Sequence, residues 1–251
     1  MAFDGIVTQA ITHELKNDLI GGKIDKIHQP DKNTILLGIY SNSIHYALNI
    51  CIDAHNCRIN LTTNSKENPL VAPNFCMLLR KHLISGKIST IEMYGLERLV
   101  KINIETINEF NEIEIKSLII ELMGKHSNII LTDENLIIID SMRHTSIEEH
   151  SNRVIYPTSK YSFPTSSKYS FLELKNFEDF YSKVEPHLTD YLAVQIEDMD
   201  NINISNFNID KIIANTFNGI SSSFVKNLQK ELINAPLSKE ALHCLFNRIN
   251  D

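Results

Sequence analysis

The stretch Leu19-Ile-Gly-Gly-Lys-Ile-Asp-Lys-Ile27 returns as Leu83-Ile-Ser-Gly-Lys-Ile-Ser-Thr-Ile91, an offset of 64 residues. The same offset lays the apolar run 35–40 on 99–104. After a longer hairpin loop in the second copy the offset becomes 70, and Arg58-Ile-Asn-Leu-Thr62 falls on Asn128-Ile-Ile-Leu-Thr132. Self-similarity at a kept spacing is the mark of one supersecondary unit used twice.

Working outward, residues 4–19 predict an amphipathic helix, with Val7, Ile11, Leu15 and Leu19 recurring at i+4 and Gly21-Gly22 as the stop. Beta-rich segments follow at 23–29, 33–40, 43–52 and 57–62. A second helix opens near Pro73, a residue suited to a first helical turn, and stops at Ser85-Gly86. Strand patterns resume at 88–94, 98–106, 111–122, 127–131 and 136–140. Each copy is therefore helix, turn and antiparallel meander. Two such sheets, each with an apolar face, would bury those faces against each other. The expected class is α+β, a pseudo-symmetric pair of packed antiparallel sheets.

The run Tyr-Pro-Thr-Ser-Lys-Tyr-Ser-Phe-Pro-Thr-Ser-Ser-Lys-Tyr-Ser at 156–170 is polar, carries two prolines and nearly repeats itself, Ser-Lys-Tyr-Ser-Phe-Pro at 159–164 returning as Ser-Lys-Tyr-Ser-Phe-Leu at 167–172. It predicts a linker or surface loop. Beyond it the period turns helical, at 176–185, 187–197, 208–217, 222–234 and 238–250. The expected organisation is an α+β domain over 1–155, a linker over 156–172 and an all-helical domain over 173–251. Phe217-Asn-Gly219-Ile-Ser221 joins two of these helices through a Gly turn. Such a helix-hairpin-helix turn can hold a phosphate at a helix N-terminus; a Gly that simply ends a helix is the plainer reading of the same residues.

Composition bounds the function. The chain has 251 residues and a net charge of −7, with the excess acid between 101 and 200. An acidic middle repels a phosphate backbone, so any nucleic-acid contact must use a local patch. The best candidate is 58–101, where seven basic residues face three acidic ones. Cys51, Cys57, Cys76 and Cys244 make no C-x-x-C pair and no zinc spacing, so free thiols, small packing residues and no metal are expected. There is no secretory signal pattern and no apolar run near ~20 residues, so no membrane span and a cytoplasmic setting are expected.

Several segments in order resemble the RqcH/NEMF (NFACT) family: Met1-Ala-Phe-Asp-Gly5, Pro73-Asn-Phe-Cys-Met-Leu-Leu-Arg-Lys-His-Leu83, Gly95-Leu-Glu-Arg98 and Glu121-Leu-Met-Gly-Lys-His-Ser-Asn-Ile-Ile-Leu131. The turn at 217–221 falls where that family has its helix-hairpin-helix module. The resemblance implies a ribosome-associated quality control factor that binds the large ribosomal subunit carrying stalled peptidyl-tRNA. In bacteria it implies recruitment of alanyl-tRNA for C-terminal alanine tailing. It also implies an N-terminal fold similar to formamidopyrimidine-type DNA glycosylases, no cofactor, and a longer parent with a coiled coil and a C-terminal RNA-binding domain. Bacterial members are often labelled fibronectin- or fibrinogen-binding, which makes a surface adhesin the alternative.

Carried over residue by residue, the resemblance marks Asp4, Glu97 and Arg98 as tRNA-binding. A guanidinium can hold a phosphate bidentately while a neighbouring carboxylate fixes it. The plainer reading of Glu97-Arg98 is an exposed ion pair worth about 0–1 kcal/mol, and that of Asp4 is a helix N-cap. At the offset of 64 the first copy has Asn33-Thr34 in place of Glu97-Arg98, so the shared architecture does not itself demand the charges. Arg80, Lys81, Lys125, His126, Asn128 and Gly219 are further candidate RNA contacts. The glycosylases use an N-terminal proline followed by glutamate; Ala2 and Phe3 stand there instead, so no enzymatic activity is expected.

Overall fold

The computed structural model describes residues 3–64, 66–145, 153–197, 209–231 and 239–250. The chain divides into two compact units. One comprises Val7–Tyr94 with Arg98–Thr165; the other comprises Met1–Ile6, Gly95–Glu97 and Ser166–Asp251.

The first unit is built on strands β1 (Lys23–Asp31), β2 (Thr34–Ser41), β3 (Ile44–Cys51), β4 (Arg58–Leu61), β5 (Lys87–Met93), β6 (Leu99–Ile107), β7 (Ile113–Glu121), β8 (Asn128–Thr132) and β9 (Ile138–Ser141). Helix α1 (Gly5–Leu19) leads into β1, and α2 (Asn74–Leu83) leads into β5. Every strand pairing is antiparallel. The two expected sheets are one: the order is β4-β3-β2-β1-β5-β6-β7-β8-β9.

The repeated Gly turns explain the fusion. Gly21 N–H donates to the Ile88 carbonyl at 2.8 Å and Ser85 N–H to the Ile24 carbonyl at 2.9 Å. Ile24 donates to Gly86 and Ile88 to Gly22, both at 2.9 Å. These four bonds are two pairs related by the repeat itself, so each copy supplies what its twin needs. The apolar alternation shows which face of a strand is buried but not which strand is its neighbour.

Pairing also fixes the repeat more closely. Ile24 faces Ile39 and Ile88 faces Ile104, so β6 lies 65 residues after β2, one more than the expected 64. The β5–β6 connection holds the extra residue. Glu97-Arg98 therefore corresponds to Lys32-Asn33 rather than Asn33-Thr34. Leu48 faces Leu61 and Leu118 faces Leu131, which keeps the offset of 70 for the later strands.

Ile35, Leu37, Ile39, Leu48 and Ile50 of the first copy, and Val100, Ile102, Ile104, Leu118 and Ile120 of the second, are buried. The second copy buries its other face as well. Leu99, Ile119, Ile130 and Ile138 pack with Ile155 and Tyr161, and Leu136 and Phe163 close the edge. This corrects the reading of 156–172 as a linker for its first part. Tyr161 N–H donates to the Leu136 carbonyl at 2.7 Å and Thr158 N–H to the Ile138 carbonyl at 2.8 Å. β8 is buried at every residue, with Ile129, Ile130 and Leu131 at its centre, so it needs cover on both sides, and the aromatic residues of this polar-looking run provide it for Ile130.

The second unit holds α3 (Phe177–Glu197), α4 (Ile209–Thr216), α5 (Ser222–Glu231) and α6 (Lys239–Asn250). Helices were expected at 176–185 and 187–197, yet α3 runs through Pro186 unbroken, a lost backbone bond that the helix tolerates. The expected end of the next-to-last helix at 234 lies outside the described residues. Aromatic packing holds the unit: Phe180 and Phe217 stack with ring centroids 5.3 Å apart, and Phe171 meets Phe217 edge-on at 5.5 Å. Residues 166–172 belong here, with Tyr169 bridging to Phe217 in parallel.

Candidate RNA-binding site

Three chain segments meet in the helical unit: the approach to α1, the turn at 95–97 and the α4–α5 turn. Glycine makes the meeting possible. Gly5 N–H donates to the Gly219 carbonyl at 2.7 Å. A Cβ at Gly5 would overlap the Leu96 carbonyl oxygen and lie 2.6 Å from the Gly219 Cα. Gly219 has φ +73° and equally little room. Backbone lies directly on backbone, which only glycine permits.

Asp4 is buried rather than presented at the surface. Ser221 Oγ donates to Asp4 Oδ2 at 2.5 Å, and the same Oγ accepts from the Phe224 N–H at 3.1 Å. Ser221 thus caps α5, and a carboxylate sits behind the cap at the positive end of the helix. That is where a helix-hairpin-helix turn would place a phosphate; here the chain supplies its own anion. Gly219 is a packing glycine in this turn, set against Leu96. The sequence signal for this cap is Ser221-Ser-Ser223 ahead of an apolar period.

Glu97 lies in the same unit, half-buried. Arg98, next in the chain and half-buried, belongs with the sheet unit, where its carbonyl accepts from the Leu122 N–H at 2.8 Å. Lys125 and His126 are exposed on the short 3-10 turn Gly124–His126. Asn128 is buried and fully engaged within the unit. It is 5% exposed, its amide donates to the Arg143 carbonyl at 2.7 Å, and its oxygen accepts from the N–H groups of Ile129 and Arg143. Arg80 likewise donates to the Ile27 carbonyl at 2.8 Å, whereas Lys81 is exposed.

Two polar centres of the sheet unit were not anticipated. Arg143 reaches Asn33 Oδ1 at 2.9 Å, the Ile52 carbonyl at 3.0 Å and the Ser127 carbonyl at 3.1 Å, tying the two copies together. Glu121 is buried and accepts from Arg153 at 2.6 Å and from the Tyr161 hydroxyl at 2.7 Å. A lone glutamate in the apolar run 117–122 was the available signal, since a buried charge requires partners.

Burial and the Glu121 carboxylate push the Tyr161 phenol well above its ordinary value of 10.0. The folded protein therefore holds the proton more tightly than the unfolded chain. The associated stability is complete below about pH 10 and is lost as pH rises above it. Chemical denaturation from pH 8 to 11.5 should show wild-type stability falling above pH 10, with a visibly shallower fall in Tyr161→Phe. Parallel curves for the two proteins would refute the coupling.

With this geometry in place, the comparisons assign the class. The family model described as NFACT N-terminal and middle domains matches residues 4–251, and the chain belongs to that family. The "Rqc2 homolog RqcH" of Bacillus subtilis (strain 168) is 34% identical over 255 residues, covering 100% of this chain and 41% of that protein. The human "Ribosome quality control complex subunit NEMF" is 26% identical over 147 residues, covering 58% of this chain and 13% of that protein. This chain thus spans less than half the length of either relative. Among solved structures, the N-terminal domain of the fibronectin-binding protein PavA from Streptococcus pneumoniae superposes with a TM-score of 0.74 at 29% identity, covering 100% of this chain and 85% of that one.

Proposed function

We propose that this chain is the N-terminal part of a cytoplasmic, non-enzymatic ribosome quality control factor. It works on the large ribosomal subunit with stalled peptidyl-tRNA and helps recruit alanyl-tRNA for C-terminal tailing. The observation that carries this reading is the match to an RqcH protein along the whole chain at 34% identity. Glu97 and Arg98 are the residues assigned to meet tRNA, Arg98 through a phosphate. Asp4 acts from behind, holding the α5 cap through Ser221 and so fixing the turn beside Glu97. Lys81, Lys125 and His126 are assigned as auxiliary RNA contacts.

The full-length protein should sediment with purified large ribosomal subunits at low salt and be released steeply as salt rises, because phosphate contacts displace condensed cations. A protein that stays unbound at 50 mM salt would end the ribosomal reading. The name of the PavA structure favours a second reading, an adhesin for fibronectin. Under the ribosomal reading, immobilised fibronectin should bind more weakly than subunits do. Tight fibronectin binding without subunit binding would reverse the order.

A further inference from the structure

The two copies differ most at one hairpin. In the first, β2 and β3 are joined by Asn42 and Ser43 alone, both at positive φ. In the second, β6 and β7 are longer and their connection is Asn108–Glu112, which accounts for the step in offset from 65 to 70. The inserted tip is internally organised. Asn108 Oδ1 accepts from the N–H groups of Phe110 and Glu112, each at 2.9 Å, and Asn108 N–H donates to the Glu112 carbonyl at 2.9 Å.

This organised tip displays apolar side chains instead of burying them. Phe110 is 82% exposed, Ile113 76% and Ile107 72%. Ile107 and Ile113 face each other across the strands, and Ile115, two residues on, lies on the same face. These exposed side chains all lie at the end of one hairpin, where the first copy uses a turn of only two residues. Clustered exposed apolar residues of this kind mark an interaction surface.

Charge selects the partner. Residues 105–115 hold Glu105, Glu109, Glu112 and Glu114 and no basic residue. At the base of the hairpin Glu114 pairs with Lys116 at 2.8 Å, and Lys81 and His82 line the same cleft as Phe110. The tip itself carries Glu109 and Glu112 on either side of Phe110, and these two carboxylates complement a basic protein surface. They also disfavour a symmetric contact between two copies, which would oppose like charges. We infer that the β6–β7 hairpin docks on a basic protein carrying an apolar pocket for Phe110. Resting on the ribosomal reading above, that protein is a component of the large subunit, where proteins bound to RNA are cationic.

The test uses the full-length protein, intact large subunits, and the subunit's proteins and rRNA separated from each other as probes. Phe110→Ser and the double charge reversal Glu109→Lys with Glu112→Lys should keep the wild-type melting temperature. Each should weaken binding to at least one separated basic protein by tenfold or more, as expected for loss of an anchor or of the carboxylates beside it, while binding to rRNA stays within twofold. Equal binding of wild type and both variants to intact subunits and to every separated protein would overturn the inference and leave the ribosomal reading standing. So would a loss confined to rRNA, or a loss of self-association by sedimentation velocity. Failure of the wild-type protein to bind subunits at all would overturn both.

Discussion

Gly5→Ala is expected to disrupt the helical unit, lowering stability by about 3 kcal/mol or more, the upper range for forced overpacking. The new methyl would meet the Leu96 carbonyl oxygen, the Gly219 Cα at 2.6 Å and the Gly219 carbonyl oxygen at 2.8 Å. All three are backbone atoms, so no side chain can swing aside. Relief would separate the α4–α5 turn from residues 3–6 and break the Gly5–Gly219 hydrogen bond. Gly95→Ala is the control: a Cβ there meets nothing within 4 Å, although φ is +56°. Its cost should be limited to the left-handed conformation, about 1–2 kcal/mol. Thermal melts in which both variants fall equally would show that the close approach at Gly5 is unimportant.

Glu121→Ala is the second large effect, an expected loss of about 3–5 kcal/mol from breaking a buried ion pair on one side. The Glu121 side chain is 4% exposed and that of Arg153 22%. Removing the carboxylate strands a guanidinium and a phenol together beneath the 153–163 segment. Glu121→Gln keeps the shape and the acceptor but not the charge, so it should fall between wild type and alanine. Denaturant titration reads both. If alanine and glutamine cost the same small amount, the charge has no structural role and the segment is held by Tyr161 and Phe163 packing alone.

How much of this was legible follows from the kind of signal each feature leaves. Strands alternate with a period of two and helices with one of 3.6, so the elements and the repeat could be read directly. The β1–β5 junction could not, because its four bonds join the backbone of the turns at 21–22 and 85–86 to that of Ile24 and Ile88, and no side chain takes part. The cover provided by 153–163 was hidden by its serines and prolines, although Tyr161 and Phe163 were in view. Asp4 and Gly219 were chosen for a shared role in RNA contact. They do share a locality, but Asp4 reaches it as the buried partner of Ser221 and Gly219 as a packing glycine. Asn128 was chosen for its place in a specific motif, and the motif's specificity there is accounted for by Arg143.

The most direct measurement is sequencing the tRNA that copurifies with the full-length protein on large ribosomal subunits, for wild type and Arg98→Ala. The wild-type protein should carry peptidyl-tRNA of mixed identity together with enriched alanine tRNA. Arg98→Ala should still sediment with subunits, keep its folding stability within about 0.5 kcal/mol of wild type, and lose the alanine tRNA tenfold or more. Equal recovery of alanine tRNA from the two proteins would contradict the assignment of the site.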